Sequence, residues 1–306
     1  MTQDQKSLQG RAWVDLLLLS MLWGGSFLAV EFALREVGVF TIVAHRVVWA
    51  ALFLWAYVLW LGLEIPRKAG IWGAFLVMGL LNNVIPFSLL TWGQITIESG
   101  LASILNATTA IFGVVIAAIA FADERLSPLR ALGVLLGFLG VTLVIGLENL
   151  GSLDIRSLAQ LAALGASLSY AFASVWARKT LGSLPPEVAA AGMLTGSSLI
   201  ILPAALFFEG MPSFDLMAPT LAALGYYSIG ATVLAYLLYY RILATSGSGN
   251  LMLVTLLIPV IAVLLGELVL EERLSAGAIL GFLVIGFGMI LLDGRLPRRL
   301  FGLFSN

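Results

Sequence analysis

The 306-residue chain has no cysteine and a single histidine. The first absence removes disulfides, thiolate metal sites and cysteine nucleophiles. The second leaves a histidine-rich metal site or a histidine-centred catalytic cluster almost nothing to draw on. Charge is scarce as well: Asp, Glu, Lys and Arg make up 11% of the residues, against roughly a quarter in a soluble globular chain. So few charges cannot cover a water-soluble surface of this size. With a formal net charge of −1 and 16 scattered basic residues, the chain also lacks the basic groove that tracks a nucleic-acid backbone. The Gly-Ser-Gly at 247–249 has no lysine to make it a phosphate-binding loop. No stretch between apolar runs is long enough to hold a domain. An enzyme is therefore not expected, and no cofactor or metal is implied.

What fills the chain is apolar. Such residues are 60% of the total and the mean hydropathy is +1.04. The gaps between charges leave ten apolar runs, at about 13–32, 40–61, 70–91, 100–120, 130–147, 157–176, 187–208, 218–239, 250–269 and 276–292. Most reach the roughly 20 helical residues that cross a hydrocarbon core. The fifth and tenth are short, which fits helices that cross with little tilt or borrow flanking residues. The polar stretch from Met1 to Gly10 precedes a run with no cleavage site, so the first span reads as a retained helix and not a removed signal peptide. The fold class is thus an all-α polytopic membrane protein with ten transmembrane helices. With the N-terminus inside, twelve Lys and Arg residues fall in inner connections and only Arg35, Arg46, Arg156 and Arg273 fall outside. That bias places both termini in the cytoplasm.

The chain writes one block twice. Asp123-Glu124-Arg125-Leu126-Ser127 overlays Glu271-Glu272-Arg273-Leu274-Ser275 at an offset of 148 residues, which brings Gly133 onto Gly281 and Gly140 onto Gly288. Each copy reads as helix, tight charged turn, small-residue-rich helix. The halves are then 1–150 and 151–306, joined by a short external connection from about Glu148 to Arg156. Five spans per half is an odd number, so the second half enters from the opposite side and the chain reads as an inverted five-plus-five repeat.

The polar residues inside the spans are the candidate site. In the first span Trp23 lies beside Gly24 and Gly25, whose missing side chains allow close packing or bending; Trp23 either faces the space so opened or fills it. The third span carries Asn82, Asn83 and Pro86. Two adjacent amides cannot both face lipid cheaply, and Pro86 leaves the Asn82 carbonyl without its usual donor, so at least one amide faces the interior, toward substrate or another helix. Asn106 in the fourth span, Ser169 and Tyr170 in the sixth, Tyr227 and Tyr236 in the eighth, and Thr255 and Pro259 in the ninth complete the set. Tyr239 and Tyr240 read as an aromatic belt at the cytoplasmic interface. Ionisable groups, His45, Arg46 and Glu267 among them, fall near external helix ends. His45 and Glu267 are the candidates for proton coupling, with a mouth, interface or packing role as the alternative. The expected interior is uncharged, which suits a zwitterion better than a strongly ionic sugar phosphate.

Ten spans, the Trp-Gly-Gly-Ser-Phe of the first, the Gly-Leu-Ala-Ser-Ile-Leu of the fourth leading to Asp-Glu-Arg-Leu-Ser, and the echo Leu-Glu-Glu-Arg-Leu-Ser after the ninth resemble the EamA-like families of the drug/metabolite transporter superfamily. The resemblance covers nearly the whole chain. Within that superfamily the amides and tyrosines of spans three and eight look most like the bacterial inner-membrane exporters of aromatic amino acids. The likeness implies alternating-access export of small metabolites through a cavity lined by spans one, three, four, six, eight and nine, with the fifth and tenth to the side. On it, Trp23, Asn82, Asn83, Asn106, Tyr170, Tyr227, Tyr236 and Thr255 would bind substrate, and Gly24, Gly25, Pro86 and Pro259 would gate or bend the helices. The implied partners are a small molecule, such as an amino acid, and the lipid bilayer, for a protein working as a monomer. Efflux of drugs or cationic dyes on the same fold is the alternative, and a nucleotide-sugar carrier fits less well. Coupling leans toward a facilitator over a proton exchanger. Because the chain has no cysteine, single cysteines introduced at Arg125 and Arg273 can be labelled without background; they are expected on opposite faces of the membrane, and labelling from one face would overturn the inverted repeat.

Overall fold

The computed structural model describes residues 10–122, 127–145, 155–213, 215–246 and 253–293. Most of the first charged turn (123–126), the half boundary at 146–154, the Gly-Ser-Gly at 247–249 and the polar N-terminus lie outside the described residues. Ten helical segments run through the rest: α1 Gly10–Ala33, α2 Val39–Trp60, α3 Ala69–Gly93, α4 Ser99–Ala120, α5 Pro128–Ile145, α6 Ile155–Thr180, α7 Pro186–Phe208, α8 218–246, α9 Leu253–Leu270 and α10 Ala276–Asp293. Seven are long and apolar enough to cross a membrane; the apolar stretches of α5, α9 and α10 are shorter, at Ala131–Val144, Leu257–Leu270 and Ala276–Leu291. Large apolar side chains cover the outside, with Trp60, Ile119, Phe207 and Leu268 each at least 78% exposed. Contiguous exposure of that kind is a liability in water and the natural surface against lipid.

The packing follows an exchange rule. Helix α1 packs on α8 and α9, while α6 packs on α3 and α4; α2 touches α7 and α8, while α7 touches α2 and α3; α4 pairs with α9 and α5 with α10. Replacing each helix by the one five places along leaves this pattern unchanged.

The α5–α10 contact is the tightest part of it. A Cβ on Gly140 would stand 2.8 Å from the carbonyl oxygen of Gly281, one on Gly281 would stand 2.5 Å from that of Gly140, and one on Gly288 would stand 2.7 Å from that of Gly133. The contact climbs α5 as it descends α10, so the pair is antiparallel, and repeat-equivalent glycines meet crosswise. Between lipid-embedded helices there is no hydrophobic drive to associate, and such close backbone approach supplies the packing in its place.

Three carboxylates cap helix starts across residue 150, while Glu98 and Arg156 form an ion pair across it at 2.8 Å. Glu36 accepts from the Met217 amide (3.1 Å) and the Thr220 hydroxyl at the start of α8. Glu209 accepts from the amides of Phe40 (2.9 Å) and Thr41 (2.8 Å) at the start of α2. Glu272 accepts from the Ser99 amide (2.8 Å), the Ser99 hydroxyl (2.9 Å) and the Gly100 amide (3.1 Å) at the start of α4. Each satisfies amides that no earlier turn can serve and meets the positive end of a helix dipole. Gly281→Leu is expected to force α5 from α10 and lower the apparent melting temperature of the purified protein, whereas Leu283→Ala on the lipid side, 63% exposed, should leave it nearly unchanged.

Candidate functional site

Two helices lose the regular α-helical register midway along their length. In α3 a π-turn covers Leu80–Val84, and in α8 a longer one covers Tyr226–Leu234. The repeat offset carries 80–84 onto 228–232, inside the second turn. For α3 the cause is local: Pro86 has no N–H to give the Asn82 carbonyl, and the ladder slips by one residue. Interruptions of this type leave carbonyls that need new donors, and they are frequent at functional sites.

The new donors come from neighbouring helices. Ser169 of α6 donates to the Leu81 carbonyl at 2.6 Å, and Trp23 of α1 donates its indole N–H to the Ala231 carbonyl at 3.1 Å. The Thr232 hydroxyl donates to the Tyr227 carbonyl (2.9 Å), five residues back, and accepts from Nε of Arg46 (2.9 Å). Side chains of α1, α2 and α6 are thereby fixed on the π-turns, around a cavity of about 930 Å³. That is the size range of small-molecule sites.

Seven of the eight residues expected to bind substrate line this cavity: Trp23, Asn82 and Asn106 from the first half, Tyr170, Tyr227, Tyr236 and Thr255 from the second. Asn83 does not. It is fully buried and donates from Nδ2 to the Ser197 hydroxyl of α7 at 2.7 Å, so of the adjacent amides one faces the cavity and the other ties two helices together. Asn82 lies beside the Met193 sulfur, 3.3 Å away, which also lines the cavity. Asn106 brings an amide whose buried Oδ1 has no hydrogen-bond partner among the described residues.

Of the bending residues only Pro259 reaches the wall. Pro86 is buried within α3. Gly24 and Gly25 are packing positions: a Cβ on the first would stand 2.7 Å from Ile261 of α9, and one on the second 2.5 Å from the Tyr226 hydroxyl. The two proton-coupling candidates also lie off the wall. His45 accepts at Nδ1 from the Trp49 indole (3.2 Å), one turn along the same helix, and Glu267 is exposed near the end of α9.

Two corrections to the sequence reading follow. Tyr239 and Tyr240 are not an interface belt: both line the cavity, Tyr239 against Trp23 (ring centroids 5.9 Å apart) and Tyr240 stacked on Tyr236 (6.2 Å). Nor is the interior uncharged. Arg46 lies two turns into α2, roughly 10 Å along its axis. It is 8% exposed and faces the cavity, with its guanidinium 3.7 Å from the Phe87 ring centroid and 4.1 Å from that of Tyr227. Its position inside a 22-residue apolar helix was the available signal, since an ionisable group in a span is a functional candidate by default. Arg178 lines the other end of the cavity, beside Leu181, Gly182 and Leu184 of the α6–α7 connection, with its guanidinium over the Phe121 ring at 4.1 Å. No Asp or Glu is among the described lining residues.

A polytopic helical bundle around a polar and aromatic cavity defines a membrane transport protein of the small-metabolite class. Residues 11–146 and 157–292 each match the EamA-like transporter family, so the chain belongs to that family. It is 23% identical over 294 residues to the uncharacterized transporter YoaV of Bacillus subtilis, covering 94% of this chain and 99% of that one. It is 24% identical over 287 residues to a probable amino-acid metabolite efflux pump of Escherichia coli, covering 90% and 92%. A crystal structure at 20% identity matches 96% of this chain and 99% of its own with a TM-score of 0.68, which shows a shared fold. Membership of a transporter family sets the chain apart from enzymes. Asn83→Ala should cost about 0.6–1.7 kcal/mol of stability, as interhelical polar contacts in membranes do, and Asn82→Ala much less; a melt of the two purified variants separates the structural amide from the lining one.

Proposed function

We propose that the chain exports small amphipathic metabolites, aromatic and hydrophobic amino acids foremost, across the bacterial cytoplasmic membrane by alternating access. The observation that carries this reading is the cavity itself, about 930 Å³ walled by Trp23, Tyr170, Tyr227 and Tyr236 and dotted with the amides of Asn82 and Asn106. Aromatic faces take up a flat apolar side chain, and the amides serve its polar end. The name of the Escherichia coli relative points the same way. Efflux of cationic drugs on the same fold fits less well, because the described wall offers Arg46 and Arg178 but no carboxylate. The lack of an acid there favours a facilitator over a proton exchanger.

The halves, 1–150 and 151–306, act in this proposal as inverted five-helix repeats. The exchange rule in the packing and the antiparallel α5–α10 contact support it. With both termini cytoplasmic, the α6–α7 connection faces the cytoplasm and the cavity reaches it there. The ends where Glu36, Glu209 and Glu272 sit then face outward, and their contacts between halves close the far side. Opening outward has to break them. A single chain encloses the whole cavity, so a monomer suffices.

Proteoliposomes loaded with labelled phenylalanine test the reading: flux should exceed that of empty vesicles and stop at equilibrium, and the absence of flux for phenylalanine, tyrosine and leucine would reject amino acid export. The seal has its own test. In the otherwise cysteine-free chain, a cysteine placed at Gln94 should label from outside several-fold faster when Glu209→Gln and Glu272→Gln are combined, because a neutral amide holds a helix N-terminus less strongly than a carboxylate does. An unchanged rate would remove these contacts from the gate.

A further inference from the structure

Arg46 is a buried cation with neutral partners. Its Nε bonds to the Thr232 hydroxyl at 2.9 Å, one terminal nitrogen lies a long 3.5 Å from the Ala231 carbonyl, and the faces of the group rest on Phe87 and Tyr227. No carboxylate pairs with it among the described residues. Burying an unpaired guanidinium is costly, and cation–π contacts return only part of that cost. A guanidinium has five N–H donors in a planar fork matched to a carboxylate, and one hydrogen bond of ordinary length is made here. Rings stacked over the guanidinium use its flat faces and not its in-plane N–H groups, so an acceptor can still add at the fork. Arg46 lines the cavity from which such an acceptor would come.

We infer that Arg46 is the anchor for a substrate carboxylate, and that the transported class is therefore organic acids with an aromatic or apolar body, with the amino group optional. The inference rests on the transport reading above and narrows it. A carboxylate entering the cavity supplies the charge that the protein wall withholds, in a space dry enough for a charge-assisted hydrogen bond to count. Phe87 and Tyr227 hold the guanidinium flat before the ligand arrives, so little rotamer entropy is lost on binding. Amines without a carboxylate meet the same cation as a repulsive charge and are excluded, a form of selection that acts against the wrong ligand. The neutral amides of Asn82 and Asn106 on the wall can serve the ammonium of an amino acid, whereas an acid lacking that group has only a neutral contact to forgo.

Three probes sharing one ring separate the outcomes: phenylalanine, 3-phenylpropionate and phenethylamine. Binding to the purified protein in detergent is measured by calorimetry, apart from any transport assay. Phenylalanine and 3-phenylpropionate are expected to bind and to compete with each other, and phenethylamine is not. Arg46→Gln should weaken both acids roughly tenfold to a hundredfold, and Arg46→Lys, which keeps the charge but not the fork, should recover part of the loss. Equal binding of phenethylamine by the unaltered protein, no binding of either acid, or unchanged acid affinity in a monodisperse Arg46→Gln variant would each overturn the assignment. If Arg46→Gln fails to fold, competition in the unaltered protein still decides the carboxylate class, and unchanged acid affinity in Arg46→Lys would overturn the residue assignment. Acid binding without flux would leave the anchor standing and sink the transport reading instead.

Discussion

A carbonyl oxygen released in the middle of a lipid-embedded helix has no water to turn to. The π-turns of α3 and α8 release such oxygens at repeat-equivalent depths, and much of the interior can be understood as their satisfaction. Ser169 and Trp23 reach across from α6 and α1 to serve them, and Arg46 joins through Thr232. The same bonds that repair the backbone bring aromatic, hydroxyl and cationic side chains to one place. Site and scaffold therefore have a common origin. A regular α3 and α8 would leave Ser169 and Trp23 without these acceptors and the cavity without part of its wall.

Charge is distributed by the same economy. Carboxylates are kept to the helix ends, where Glu36, Glu209 and Glu272 meet amides that would otherwise be orphaned. The ion pair of buried Asp15 with exposed Arg241 ties α1 to α8, with an Nε–Oδ2 distance of 2.8 Å. Among the described residues no Asp or Glu lines the cavity with Arg46, which is held by rings that tolerate a cation without neutralising it. Under the proposed anchor role, cationic charge is kept for the ligand while carboxylates are kept for contacts between the halves.

The sequence made the scaffold legible because its rules are one-dimensional. Apolar runs marked all ten helical segments, seven of them long and apolar enough to cross a membrane, and the paired Gly133, Gly281, Gly140 and Gly288 marked the repeat register, though not the contact that α5 and α10 make through them. The wall was legible where chemistry forced it: adjacent amides at Asn82 and Asn83 required at least one interior face. Which amide faced the cavity was not legible, since a π-turn shifts the angular position of every later side chain and no periodicity announces it. Side-chain direction was the other blind spot. The second run starts at about residue 40 in the sequence and at Val39 in the structure, so Arg46 lies two turns inside by either boundary; the direction of its side chain, into the cavity, is what the sequence does not show. Tyr239 and Tyr240 were misplaced for a related reason, because the π-turn before them turns their faces inward and not toward the interface.

Backbone and side chains obey different symmetries in this protein, and the difference bears on how it could work. The backbone pattern survives exchange of the halves: the π-turns coincide, the helix pairs map onto one another, and the glycine contacts cross. The wall does not survive it. Asn82 of α3 maps onto Gly230 of α8, whose helix lines the cavity with tyrosines instead, and Arg46 of α2 has no basic partner on the described wall contributed by α7. Under the proposed inversion, an equivalent backbone lets the bundle adopt two openings of similar energy related by a pseudo-two-fold axis in the membrane plane, as alternating access requires. An unequal wall gives the bound molecule one orientation in both. A carboxylate held at Arg46 would stay with the same residue while the opening changes sides around it, so the moving part is the protein and the fixed part is the contact.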